Sequence, residues 1–209
     1  MDNRPIGIFD SGVGGLTVVK EIVKSLPNEN IVYFGDTARV PYGAKSKDVV
    51  TKYSKQIVRF LMTKNVKAII IACNTVSSNS LDELKKAFDI PFVGVVEPGV
   101  RSVIDTTKNK KVGIIGTEAT VRSGMYTKLI HKADNSIEVF SKPCPLFVPL
   151  AEEGWYDNNV ARLTAEIYLN ELIGCGIDTL LLGCTHYPLL KQCIGETIGE
   201  AVKIVDPAK

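Results

Sequence analysis

The chain alternates short apolar runs of β type with amphipathic helical stretches from end to end, and it does so twice in the same order. Runs at 6–9, 31–35, 68–72, 92–96, 112–115, 137–140, 179–182 and 202–205 carry the aliphatic and β-branched side chains of strands. Helical spacing fills the gaps between them. Ser46 can cap a helix in which Val49, Val50, Tyr53, Ile57, Phe60 and Leu61 recur at helical intervals, and a second long helix over 158–173 stops near Gly174-Cys175-Gly176. Strands separated by helices pair in parallel, because a parallel neighbour can be reached only by a crossover, and the expected fold class is therefore α/β.

The eight runs divide into two sets of four that echo each other. "PIGIFDSGVGG" at residue 5 matches "KVGIIGTEATVRSG" at residue 111, and "AIIIACNTVSS" at residue 68 matches "TLLLGCTHYPL" at residue 179. This order predicts two pseudo-symmetric parallel-sheet α/β domains with the active site in the cleft between them. Residues 1–97 form the half that carries Cys73 and residues 98–206 the half that carries Cys184, the boundary falling in "VEPGV" where Pro98 and Gly99 break the pattern. Asp206 suits a helix N-cap and Pro207 the first helical position, so 207–209 read as the start of a helix. The expectation is that this helix belongs to a longer chain and returns to the N-terminal domain.

Composition removes several function classes. With 209 residues, 45% apolar and 23% charged, the chain can bury one sizeable core or two small ones. The net charge of +2 comes without a basic stripe, and Lys108-Asn109-Lys110-Lys111 reads as a solvated loop, so no nucleic-acid partner is expected. No basic lead precedes an apolar signal region and no apolar run could span a bilayer, which points to a cytoplasmic protein without a membrane partner. Five cysteines, an odd number without a C-x-x-C pair, suit a reducing compartment. Cys184-x-His186 between Cys175 and Cys193 lacks the paired ligands of a zinc site, so no metal is expected.

Ligands of open parallel sheets bind beyond the carboxyl ends of the strands. Asp10 and Ser11 follow the first strand, Asp36 the second and Cys73-Asn74-Thr75 the third, while Cys184-Thr185-His186 closes the counterpart in the other half. Glycines 12, 14 and 15 before a helix would let backbone N–H groups approach an anion, although neither a P-loop nor a dinucleotide fingerprint is present. Cys144, Cys175 and Cys193 read as space-filling residues, and His131 lies on a helix surface. Cys73 and Cys184 differ because their position is duplicated. Two facing thiols suit a reaction with two equivalent faces: one removes a proton from a carbon, the other returns one from the opposite side, and the centre inverts. Ionising a thiol of pKa ~8.5 at neutral pH costs about 2 kcal/mol, while a helix terminus supplies only about 0.3–1 kcal/mol. Each thiol then needs a neighbouring base, and Asp10 and His186 are placed to serve.

The motifs "GIFDSGVGGLTVV", "YFGDTARVPYG", "ACNTVSS", "GVVEPGV", "GTEATVRSGMY", "PLAEEGW" and "LLGCTHYPLL" together resemble the bacterial glutamate racemases, over nearly the whole chain. The resemblance implies a cofactor-independent interconversion of L- and D-glutamate, supply of D-glutamate for peptidoglycan, a homodimer, and a site between two domains. Carried over by motif, Cys73 acts on D-glutamate with support from Asp10, and Cys184 on L-glutamate with support from His186. Ser11, Tyr42, Gly43, Asn74, Thr75 and Thr185 match substrate-binding positions, and Asp36 and Glu152 match acidic positions near the site. Relatives usually continue several tens of residues beyond "VDPAK". Rival readings are a racemase of aspartate or another acidic amino acid, a hydrolase in which Cys184 is the nucleophile and His186 its base, and a catalytically silent binding protein.

Overall fold

The computed structural model describes residues 2–209. Two four-stranded sheets, parallel throughout, account for all eight strands. The first comprises β1 (Ile6–Asp10), β2 (Ile31–Gly35), β3 (Ala68–Ile71) and β4 (Phe92–Gly94) in the order β2-β1-β3-β4. The second repeats this order with β5 (Lys111–Gly116), β6 (Glu138–Pro143), β7 (Thr179–Gly183) and β8 (Lys203–Val205), arranged β6-β5-β7-β8.

Each sheet is buried on both faces, as parallel sheets require. In the first, Phe9, Ile69 and Ile71 point toward α2 (Lys47–Met62) and meet its Val50, Ile57, Val58 and Leu61. Ile6, Ile8 and Ala72 point the other way, toward Val18 of α1 (Leu16–Ser25). Ser46 does cap α2, its hydroxyl accepting from the Val49 amide at 3.4 Å. The buried stripe of α2 is rotated from the expected one, with Val58 inside and Phe60 43% exposed, its ring meeting that of Phe34 on β2 at 5.3 Å.

In the second sheet, Ile115, Leu180 and Leu182 pack on Ala161, Ala165, Leu169 and Leu172 of α9 (Asn159–Gly174), whose N-cap is Asn158. The opposite face buries Val112, Ile114, Leu181 and Val205 against α5 (Val96–Thr106) and α7 (Met125–Ala133).

One sequence expectation is corrected. The "VEPGV" stretch is not a break but the first turn of α5, where Pro98 is tolerated because the amide it lacks has no intrahelical partner. β4 accordingly ends at Gly94, and Val96, Val100 and Val103 pack with the second sheet. At 206–209 the chain makes a turn capped by Asp206, whose side chain accepts from the Ala208 amide at 3.0 Å and whose carbonyl accepts from the Lys209 amide at 3.1 Å. Ala208 packs against the α1 side of the first sheet.

Candidate active site

Both sheets direct the carboxyl ends of their strands into the same cleft. Cys73 follows β3 and is the N-cap residue of α3 (Asn74–Asn79), while Cys184 follows β7 ahead of a 3₁₀ turn at Tyr187–Leu190. The two cysteines line one small cavity with Ser11, Pro41, Tyr42, Gly43, Asn74, Thr75, Thr117, Val148, Thr185 and His186. They also share a local pattern. The amides of Thr75 and Val76 act on Cys73, and those of His186 and Tyr187 on Cys184, two and three residues onward in each case.

Those amides do not make the thiols acidic. Burial pushes Cys73 up to about 12, Asp10's negative charge adds to the shift, and the Thr75 and Val76 amides with the Ser11 hydroxyl only partly oppose it. Burial raises Cys184 well above the ordinary thiol range, against the pull of the His186 amide, and negative charge on Cys73 or Asp10 raises it further. A thiolate at Cys73 therefore disfavours a thiolate at Cys184, so the two are not ionised together.

Each cysteine has a different companion. The Cys73 thiol sits 3.7 Å from Ser11 Oγ. The Cys184 sulfur lies 3.8 Å from His186 Nδ1, and His186 Nε2 meets Glu152 Oε1 at 2.5 Å, forming a chain of thiol, imidazole and carboxylate. His186 is 1% exposed, and Glu152 closes its outer side from the end of α8 (Phe147–Glu152).

Asp10 is fully buried and makes no hydrogen bond to Cys73. Its Oδ2 accepts from the Gly12 and Gly15 amides at 3.2 and 2.9 Å, and its carboxylate accepts from Thr185 Oγ1 of the other half at 3.2 and 3.3 Å. Burial raises its pKa, with His186 and these donors opposing the shift. This corrects the expectation for the glycine loop: its amides serve a carboxylate of the protein itself instead of standing free for a ligand. Gly14 is required for another reason. A Cβ there would lie 2.8 Å from the Thr185 backbone and side chain, so glycine lets the two halves meet.

Asp36 lies outside the cavity lining. It accepts from the Tyr42 hydroxyl and pairs with Arg39 at 2.7 Å, so it holds the residue that lines the cavity. Of the residues lining the cavity, sequence reasoning missed Thr117, Pro41 and Val148. Thr117 could have been found, because the internal match places it opposite Ser11. It bonds Thr75 Oγ1 at 2.9 Å across the cleft.

The halves touch at many polar points. Gly43's carbonyl accepts from the Ala119 amide at 3.0 Å, and Asn79 Nδ2 donates to the Ala119 carbonyl at 3.2 Å. The cavity between the cysteines measures about 10 Å³, room for about one water molecule. A much larger cavity of about 550 Å³ lies elsewhere, beside Ser77, Gly94, Arg101 and Met125, and contains neither cysteine. The chemistry is located by the thiols, not by volume. Among the described residues there is no group of three or more His, Cys, Asp or Glu side chains able to hold a metal ion, and no helix is long and apolar enough to cross a membrane.

Comparison with known proteins agrees with this geometry. The family model described as Asp/Glu/Hydantoin racemase matches residues 6–209. The chain belongs to this racemase family. A glutamate racemase of Geobacter metallireducens is 58% identical over 206 residues, covering 99% of this chain and 76% of that protein. The crystal structure of a Francisella tularensis glutamate racemase in complex with D-glutamate is 46% identical with a TM-score of 0.92, covering 100% of this chain and 78% of that one. An Escherichia coli glutamate racemase, in complex with L-glutamate and the activator UDP-MurNAc-ala, is 32% identical with a TM-score of 0.84 over 98% and 78% of the respective chains. The repeated parallel sheets that the sequence predicts are thus those of an amino-acid racemase fold.

Proposed function

We propose that the chain interconverts L- and D-glutamate by α-proton transfer between two thiols, without a cofactor. The observation that carries this reading is the placement of Cys73 and Cys184 on one cavity, each at the end of the equivalent strand and with the same amide pattern. D-Glutamate loses its α-proton to the Cys73 thiolate, and the resulting carbanion takes a proton on its opposite face from the Cys184 thiol. L-Glutamate reacts in the reverse sense.

Burial holds both thiols protonated at rest, so each needs a proton acceptor. His186, backed by Glu152, takes the proton of Cys184. On the other side Ser11 contacts the Cys73 thiol, and Asp10, whose raised pKa suits a proton carrier, supports it through the surrounding network. The substrate ammonium then offsets the negative charge that each thiolate would otherwise impose. Tyr42, Gly43, Asn74, Thr75, Thr185 and Thr117 hold the carboxylates and the ammonium. A cavity of about 10 Å³ cannot admit an amino acid, so the halves must part at the Gly43–Ala119 and Thr75–Thr117 contacts for substrate to enter. The reading carries with it the supply of D-glutamate for peptidoglycan and a homodimer, both implied by the family resemblance, and the cytoplasmic setting expected from the sequence.

A second reading has one observation in its favour. The Cys184–His186–Glu152 chain has the order of a nucleophile, base and orienting acid. It leaves Cys73 without a role. Incubating the chain with each glutamate enantiomer in D2O without added cofactor separates the two: racemisation gives inversion with deuterium at the α-carbon. Amide or ester hydrolysis without α-exchange would reject the two-thiol reading. Cys73→Ala and Cys184→Ala should each abolish racemisation, since either direction needs both an acid and a base.

A further inference from the structure

Tyr126 occupies a position that the two-thiol chemistry does not use. It sits at the start of α7, in the second half of the chain, and is 3% exposed. Its ring runs along Gly183, where a Cβ would come within 3.6 Å of Tyr126 Cε2, immediately before Cys184. The hydroxyl then crosses the cleft to Asn74, the residue after Cys73, at 2.5 Å from Asn74 Oδ1. One side chain thus passes beside one thiol and grips the neighbour of the other.

The chemistry of this contact has a direction. Burial raises the Tyr126 hydroxyl far above its ordinary range, so it keeps its proton, and the short contact to Asn74 Oδ1 is one in which that O–H donates. A donor at that point selects one of the two amide orientations of Asn74, with Oδ1 toward Tyr126 and Nδ2 away from it. Asn74 Nδ2 has no hydrogen-bond partner within the protein, and among the described residues no polar side-chain atom is both sealed from solvent and unpartnered. Asn74 itself lines the cavity that contains both thiols. Its two N–H donors are therefore left for whatever occupies that cavity. The flipped amide would turn a carbonyl oxygen toward an anionic ligand and bring an N–H against the tyrosine O–H.

We infer that Tyr126 is a positioning residue: by donating across the cleft to Asn74 Oδ1 it locks the amide so that its N–H groups face the substrate's carboxylate. Because the two residues come from opposite halves, the lock forms only when the halves are together, and the donor is oriented as the site closes. The inference rests on the racemase reading above and deepens it.

Tyr126→Phe removes the O–H and keeps the ring. The expected result is a rise in KM of about tenfold for both enantiomers, equivalent to about 1.4 kcal/mol, with kcat changed less than about twofold, because the lost interaction holds substrate and transition state alike. In an Asn74→Ala background the same substitution should leave KM unchanged, since there is no amide left to orient. A merely structural role for Tyr126 would give the same loss in both backgrounds. An unchanged KM in the single variant, or equal losses in the two backgrounds, overturns the inference. If Tyr126→Phe melts too low to assay, the wild-type chain decides instead. With asparagine side chains labelled with ¹⁵N, D-glutamate should shift the Asn74 amide pair, and an unmoved pair at saturation overturns the inference. A wild-type chain that racemises neither enantiomer would fail the functional reading itself, which these variants leave separate.

Discussion

Glu152→Gln tests the chain that serves Cys184. When His186 Nδ1 takes the Cys184 proton, the ring becomes a cation whose Nε2–H faces the Glu152 carboxylate at 2.5 Å. Glutamine keeps the shape and an oxygen acceptor but removes the negative charge. A hydrogen bond to a charged group contributes ~1.5–3 kcal/mol and a neutral one ~0.5–1.5 kcal/mol, so the charge itself accounts for somewhat more than ~1 kcal/mol. The Glu152 side chain is 27% exposed, and water replaces part of what is lost. The net change of about 1 kcal/mol corresponds to roughly a fivefold loss of rate. Mirror-image solutes have equal free energy in water, so kcat/KM must fall by the same factor in both directions, however kcat and KM divide. Circular dichroism started from each enantiomer, at substrate concentrations spanning KM, measures both values. A kcat/KM within twofold of wild type would show that the carboxylate does not assist His186, and the relay would have to be abandoned.

Two further tests address electrostatics and closure. A thiol that binds its proton more tightly in the fold than in the unfolded chain stabilises the fold fully below its unfolded pKa, and this contribution fades as pH rises toward the folded value. For Cys73 that window runs from 9.0 to about 12. The loss, at most ~4 kcal/mol, should steepen alkaline unfolding in chemical-denaturation series, and Cys73→Ala should flatten the slope; identical slopes would contradict the burial assigned to Cys73. Gly14→Ala places a methyl group against the Thr185 backbone, which cannot move aside as a flexible side chain would. Overpacking of this kind costs ~1–3 kcal/mol, so kcat/KM should drop at least about fivefold while the melting temperature moves by only a few degrees. Full activity would mean that the halves need not meet at Gly14.

The sequence by itself determined the strands, their parallel pairing, the duplication and the two cysteines at equivalent strand ends, because these are written in local periodicity and in residues adjacent in the chain. It also placed Asp10, Ser11, Asn74, Thr75, Thr185 and His186 at the correct edge, since strand ends carry their turns with them. What it could not show is which groups serve one another across the cleft. Asp10 had the spacing of an assistant to Cys73, and only the fold shows that it makes no direct hydrogen bond to that thiol but is held by Gly12, Gly15 and Thr185. Nothing local sets Glu152 apart from its neighbour Glu153, and only the packing of α8 beside the Tyr187–Leu190 turn brings it to His186. Asp36 lay on the right edge but reaches the cavity only through Tyr42. Tyr126 and Asn74 stand 52 positions apart, in different halves, and no local pattern links them. Even the boundary at Pro98 needed the fold: proline and glycine weaken a helix locally, but Val96, Val100 and Val103 bury enough apolar surface against the second sheet to make the stretch helical. Local signals specify elements, and the long-range packing of two sheets decides the partners at their edges.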